Sequence, residues 1–478
     1  MRTIKRPLIW ILTALLLVSP AAAPAAASVA SPAESSGYIV QLNAPLPPDL
    51  LSEEDPSLLR AISSKLGLYS VRDEEILHRL TETGLVEYAE PDCVAELFDT
   101  DHSAEADPAA WPLEMLKTAR GDELGCFGQG VRIAVIDSGC APHRELADAI
   151  RPGWNFLNGT DNVTDNIGHG TFVSGLIAAG DNGFGITGAA PRASIVPLKC
   201  FDSGVSTYAS TLAAAVFAAV DGFHCQVINM SFGLEKPSKT LETAINYAVD
   251  HGVVCVASAG NRGTTAPYYP AALPNVIAVG AVDSEGTVAS FSQRNDTLSV
   301  MAPGKGIYST VPSGGYAVNQ GTSFSAPLVS ALCARLLSAD STLKPQELMR
   351  LLTASARDLG EEGYDTAYGH GLAQLDDAMT LLLSDRDCFL SPLLVEDGTV
   401  RVSLFNNSDS LLAGQCLFTR FSPSGIMEDI VGQDVVLSPG QAVTVTVPAE
   451  AGRLKCTFWP GLYEISPITA YRECEVTT

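Results

Sequence analysis

The segment Val131–Gly139 reads VRIAVIDSG. An apolar run, Val131–Ile136, unbroken from Ile133 onward, leads straight into an aspartate, a serine and a glycine. A strand with one face in water alternates apolar and polar residues, whereas a continuous run suits a strand buried on both faces. Four more runs of this kind follow, at Ser194–Leu198, Val227–Met230, Val253–Ala257 and Val276–Val279. Helical stretches separate or follow them, at His169–Ala179, Tyr208–Val220, Lys239–Val249 and Ser323–Ser338. Doubly buried strands alternating with helices predict an α/β unit of three layers, a parallel sheet covered by helical crossovers. Pro345–Ala356 and Leu372–Leu383 read as two late helices that complete it.

The flanks have a different texture. Gly37–Leu42 reads as a strand, Asp55–Leu66 and Asp73–Glu82 as helices, and Val86–Phe98 as further strand with a turn at Pro91. A small α+β unit over residues 37–99 is expected. The acidic, breaker-ended stretch Asp99–Pro108 marks a boundary, so the α/β unit should span residues 107–384. Past Asp385 helical periodicity disappears. Thr399–Leu404, Gly414–Phe421, Asp434–Leu437 and Ala442–Val447 read as short strands, predicting an all-β, sandwich-like unit over residues 388–478.

The N-terminus has the anatomy of a secretory leader over residues 1–27. Arg2, Lys5 and Arg6 precede the apolar run Leu8–Val18, and small residues Ala21–Ala27 follow. No other stretch approaches the ~18–20 consecutive apolar residues of a membrane span. A secreted, extracellular protein without membrane insertion is expected. The 478 residues are 46% hydrophobic and 17% charged, ample for a large core. Acidic residues outnumber basic ones 54 to 29, for a net charge of −25. That balance argues against nucleic acid, whose phosphates need basic partners, and against anionic membranes. A soluble monomer is expected.

Three segments concentrate chemistry. In VRIAVIDSG, Asp137 ends a buried strand, where a carboxylate must be hydrogen-bonded. In GHGTFVSGLIA, Gly168–Ala178, His169 stands between two glycines at the start of an apolar helix. In GTSFSAP, Gly321–Pro327, Ser323 opens another helix, at the electropositive end that favours a developing oxyanion. Singly, each has an ordinary reading as a turn aspartate, a structural histidine or an N-cap serine. Together, in the order Asp, His, Ser, they resemble the three signature segments of the subtilisin family. VVCVASAGN, Val253–Asn261, is similar to that family's oxyanion strand. Asn261 also argues against the acidic sedolisin relatives.

The resemblance covers roughly Ala110 to Leu383. It implies a subtilisin-like serine endopeptidase with Asp137, His169 and Ser323 as its triad and Asn261 as oxyanion donor. Extended polypeptides are the implied substrates, flanked by Ser203, Gly204, Ser231, Phe232 and Gly233. Ala257, Ser258 and Gly260 would form a wall of the S1 pocket. Two departures stand out. Tyr268 takes the place of a glycine at the pocket base, which implies small P1 side chains. Phe324 takes the place of a methionine beside the nucleophile. The unit over residues 37–99 resembles the family's inhibitory propeptide, with its junction expected within Asp99–Asp107. No cofactor is required for the chemistry, but a structural calcium ion is implied at Asp107, Glu145 and Asn182, the last from the loop GDNGFGI.

The eleven cysteines form no dense framework. Cys126 with Cys140, and Cys200 with Cys225, would sit at opposite strand ends, too far apart for a disulfide. Cys388, Cys416, Cys456 and Cys474 leave three pairings open. No cysteine occupies a nucleophile frame. Two other readings compete with the peptidase: a catalytically silent protein of the same shape, and a binding role centred on the C-terminal β unit.

Overall fold

The computed structural model describes residues 35–46, 58–97, 111–202, 205–384, 386–422, 424–459 and 472–476. The leader over residues 1–27, the junction stretch over residues 99–107, and the candidates Ser203, Gly204 and Asp107 lie outside the described residues.

The N-terminal part contains β1 (Ser35–Leu42), β2 (Leu59–Ser63), β3 (Leu68–Val71), α1 (Glu74–Glu82) and β4 (Val86–Leu97). Asp73 starts α1 by accepting from the backbone N–H groups of Glu75 and Ile76, as the sequence led one to expect. Two expectations fail here. The described part of Asp55–Leu66 is not helical: Leu59–Ser63 pairs antiparallel with β3, and a single 3-10 turn follows at Ser64–Leu66. Leu59 and Ile62 fit a helical spacing, but the sheet edge supplies stronger partners than a lone short helix could find. Nor is there a turn at Pro91, since β4 runs through it unbroken. Proline's fixed φ is compatible with extended backbone.

The central part continues with α2 (Trp111–Leu116), α3 (Ala119–Glu123), β5 (Arg132–Asp137), β6 (Trp154–Asn155), α4 (His169–Ala178), β7 (Ser194–Lys199), β8 (Ser206–Tyr208) and α5 (Ala209–Asp221). Then come β9 (Val227–Met230), β10 (Phe232–Gly233), α6 (Lys239–Asp250), β11 (Val254–Ser258), β12 (Val276–Val282) and β13 (Val300–Pro303). The hairpin of β14 (Ile307–Thr310) and β15 (Tyr316–Asn319) precedes α7 (Thr322–Ala339), α8 (Pro345–Ala354) and α9 (Leu375–Leu383). Seven strands form one parallel sheet in the order β13-β12-β11-β9-β5-β7-β6.

The near-continuous apolar runs are explained by where alternate side chains go. Ile133 and Val135 of β5 enter a core with Phe172 and Ile177 of α4 and Leu328 and Leu332 of α7. Ala134 and Ile136 enter the opposite core, with Leu212 and Val216 of α5 and Leu241 and Ile245 of α6. Each large apolar side chain buried this way contributes about 1.5–3 kcal/mol. Every residue of α7 is buried, so its membrane-like length and apolarity mark a core helix here. Arg335 on α7 is buried too, donating to the carbonyls of Cys126, Ala189 and Thr118 and pairing with Asp122.

The C-terminal part holds β16 (Cys388–Leu390), β17 (Leu394–Glu396), β18 (Thr399–Asn406), β19 (Leu412–Phe421), β20 (Met427–Leu437), β21 (Ala442–Pro448), β22 (Gly452–Trp459) and β23 (Arg472–Val476). They form two four-stranded antiparallel sheets. Val402, Leu404 and Val445 of one meet Phe418, Leu454 and Phe458 of the other around a shared core.

Candidate active site

Asp137 is the last residue of β5 and is completely buried. The Ser138 N–H donates to its Oδ1 at 2.7 Å. His169 is the first residue of α4, after Gly168 at φ +100°. Asp165 closes that helix: its carboxylate accepts from the N–H groups of Ile167, Gly168 and Thr171 and from the Thr171 hydroxyl. So held, His169 Nδ1 lies 2.9 Å from both oxygens of Asp137. Gly170 permits this approach, because a Cβ there would lie 2.1 Å from the Gly139 carbonyl oxygen.

Ser323 lies in the first turn of α7, whose N-cap, Gly321, supplies no side-chain cap. Its Oγ donates to the Ser231 carbonyl at 3.2 Å, and its own carbonyl accepts from Ser231 Oγ at 2.8 Å. Asn229 and Ser330 extend this buried chain, with Asn229 Nδ2 donating to Ser231 Oγ and Ser330 Oγ donating to Asn229 Oδ1, both at 3.0 Å. The Phe324 ring is 5.4 Å from that of His169 and 4.6 Å from that of Phe172, which places the start of α7 against the start of α4. Asn261 joins them. Its Oδ1 accepts from Thr322 N–H and Thr322 Oγ1, each at 2.8 Å, so its NH₂ end is turned away from Thr322. The N–H of Gly260 in turn donates to Thr322 Oγ1 at 3.1 Å.

The expected substrate walls lie alongside. Ala257 and Ser258 end β11, and Phe232 and Gly233 form β10, directly after Ser231. The chain's own β4 already lies between β10 and β8. Leu97 faces Phe232, Glu96 faces Gly233 on one side and Ser206 on the other, and Leu97 N–H reaches the Val205 carbonyl at 2.8 Å. β4 is also anchored behind this point. Glu90 accepts from Ser238 Oγ and from the N–H groups of Lys239 and Thr240, at the start of α6. Asp92 accepts from the N–H and hydroxyl of Ser210, at the start of α5.

Tyr268 is 5% exposed and packs on Gly260, where a Cβ would come within 2.9 Å of the Tyr268 ring. Its hydroxyl is 3.5 Å from Glu235, and burial pushes the phenol's pKa upward. Arg262, next to Asn261, pairs with Glu235 at 2.9 Å and lies 3.9 Å from Glu96.

Glu145 and Asn182 do meet. Asn182 Nδ2 donates to Glu145 Oε2 at 3.0 Å, Ile186 N–H donates to Oε1 at 3.1 Å, and the Tyr316 hydroxyl donates to the same oxygen. The carboxylate is therefore ringed by donors where a calcium site would offer oxygens, and as placed the pair does not fit the ion. Among the described residues no disulfide joins any two of the eleven cysteines, and in the C-terminal part Cys416 and Cys456 lie in contact as thiols. Burial pushes Cys140, near Asp137, up to about 12, which leaves it an un-ionised core side chain.

Sequence reasoning named Asp137, His169, Ser323 and Asn261, which the fold brings to neighbouring element ends, and did not name Thr322, Asp165, Glu90 or Asp92. A carboxylate a few residues ahead of an apolar helix was the available signal for Asp165. For the others the signal lies in tertiary proximity.

Residues 128–371 match the model of the subtilase family, Peptidase_S8. Subtilisin DY of Bacillus licheniformis is 37% identical over 279 residues, covering 57% of this chain and 99% of that protein. Minor extracellular protease Epr of Bacillus subtilis (strain 168) is 37% identical over 265 residues, covering 55% of this chain but only 41% of that protein. The crystal structure of fervidolysin from Fervidobacterium pennivorans shares the fold over 91% of this chain and 88% of its own, with a TM-score of 0.64 at 22% identity. The chain therefore belongs to the subtilase family and is a serine endopeptidase.

Proposed function

We propose that this peptidase is a secreted enzyme, made as a zymogen, that cleaves extended polypeptides through an acyl-enzyme formed on Ser323. Ser323 Oγ attacks the peptide carbonyl. His169 takes the hydroxyl proton and returns it to the leaving amine. Asp137 holds the imidazole by its Nδ1 side and stabilises the imidazolium. The Ser323 N–H and the Asn261 amide stabilise the oxyanion, and water releases the acyl group. The proposal rests on one observation: a buried Asp137–His169 pair stands beside the helix start that carries Ser323, with Asn261 fixed on Thr322 at that start. A fluorophosphonate probe should label the wild-type protein and not Ser323→Ala. Labelling that survives the substitution would sink the proposal.

Residues 37–99 act as the propeptide, with β4 occupying the strand position a substrate would take between β8 and β10. Main-chain pairing there binds peptides with little demand on sequence. Tyr268 fills the base of S1, so small P1 residues should dominate a peptide-library profile. No metal takes part in the chemistry. A calcium ion at Glu145 and Asn182 would require the Asn182 amide to turn its oxygen inward, and stabilisation by calcium that a chelator reverses would establish it.

A further inference from the structure

We propose that Lys199 is a positioning residue for the triad, whose buried ammonium ion fixes the loops presenting Asp137, His169 and the substrate edge, and whose charge opposes protonation of His169. This rests on the triad assigned above.

Lys199 ends β7 directly beside Asp137, its register partner on β5. The side chain is 2% exposed. A buried ammonium persists only where acceptors replace its water. Here they come from three loops. The Ser138 carbonyl at 3.0 Å belongs to the loop after β5, and the same residue's N–H holds the Asp137 carboxylate. The Thr164 carbonyl at 2.9 Å belongs to the loop before α4, and the next residue, Asp165, caps the helix that begins with His169. Asp202 Oδ1 at 3.3 Å belongs to the loop after β7, which leads into the β8 edge. One cation thus joins the loops that carry Asp137, His169 and the substrate edge. It is only partly neutralised, because Asp202 is 46% exposed and also accepts from Asn166 at 2.8 Å.

Among the described residues, the charged and titratable groups around the imidazole are few. Asp137 lies on β5, Asp165 ahead of α4, and Lys199 and Asp202 at the end of β7. The thiols of Cys140 and Cys200 are neutral, their pKa values raised by burial, and Arg60 of β2 lies beyond Cys200. Phe324 faces the ring from α7 without charge. Removing the cation should favour the imidazolium, and removing its counter-ion should disfavour it.

The test is the pH dependence of kcat/KM for the enzyme as secreted, on a small chromogenic peptide. Lys199→Met should move the acid limb upward by ~0.5 pH unit and lower kcat/KM roughly tenfold through kcat. Asp202→Asn should move the same limb downward. Shifts of opposite sign cannot come from loosened packing alone. Unmoved limbs, or shifts in the same direction, would overturn the proposal. If Lys199→Met does not fold, the downward shift in Asp202→Asn still decides. Ser323→Ala separates the two levels: activity that survives it defeats the triad, whereas activity lost there with unmoved limbs elsewhere defeats only the role of Lys199.

Discussion

Two helices meet at the site, and they begin in opposite ways. α4 starts on a carboxylate, since Asp165 accepts from the N–H and hydroxyl of Thr171 in its first turn and from the N–H groups of Ile167 and Gly168 just ahead of it. α7 meets no carboxylate: its glycine N-cap supplies no side chain, only the neutral Asn261 Oδ1 takes the N–H of Thr322, and Ser323 sits in its first turn. The first helix uses its electropositive end to hold itself and the histidine it carries. The second keeps that end for charge that exists only during reaction. The starts of α5 and α6 follow the first pattern with a difference, because their carboxylates, Asp92 and Glu90, come from β4 rather than from the same segment. A cap that is local stabilises a helix. A cap that arrives from elsewhere docks one part of the chain on another.

The contrast can be broken at the start of α7 first. Asn261→Leu should cut kcat by about 10²–10³-fold with KM little changed, because the donor acts on the oxyanion alone. Steady-state kinetics on a peptide substrate decides it, and a loss confined to KM would mean that Asn261 only binds. At the start of α4, Asp165→Ala should lower stability by about 1–2 kcal/mol, read from denaturant unfolding. Little change there would show that α4 does not need its cap.

The borrowed caps give a pH prediction. Burial pushes Asp92 above its ordinary value in the docked structure, outweighing the hydrogen bonds from Ser210. A group whose pKa is higher when docked binds its proton more tightly there. Its contribution is therefore fully present below the ordinary carboxylate value and is lost as pH rises through the raised one. Inhibition of the mature enzyme by added segment 37–99 should tighten on acidification across that window. Asp92→Asn should flatten the dependence, and an unchanged profile would remove Asp92 as its source. The smallest effect concerns Phe324, buried between the two helix starts. It cannot form a sulfoxide, so mild peroxide should leave activity intact, while Phe324→Met should become sensitive. Equal loss in both would place the oxidation elsewhere.

The sequence showed most where two structural demands coincide. β5, β7, β9, β11 and β12 were visible because both faces are apolar, and the glycines around His169 were visible because close approach demands them. Leu59–Ser63 was misread because a short run with buried ends suits either a helix or a sheet edge, and only β3 decides. β17, β22 and β23 were missed for the same reason, since half-buried strands take their pattern from distant partners, and β16, though buried, is only three residues long. At the site the residues proposed to react could be named from the sequence, and their supports could not. Lys199 reads as the polar end of an apolar strand, and Thr322 as one more small residue before a helix. Their roles exist only once separate loops converge on them.

The all-buried α7 has a consequence for how this enzyme should fail. Its backbone amides have no solvent-facing side from which to open, so they should exchange hydrogen only through large-scale unfolding. The proposed nucleophile, Ser323, is mounted on the tip of that rod. Heating should then offer no stage at which the fold persists with a loosened Ser323. Loss of turnover and loss of native structure should follow a single curve.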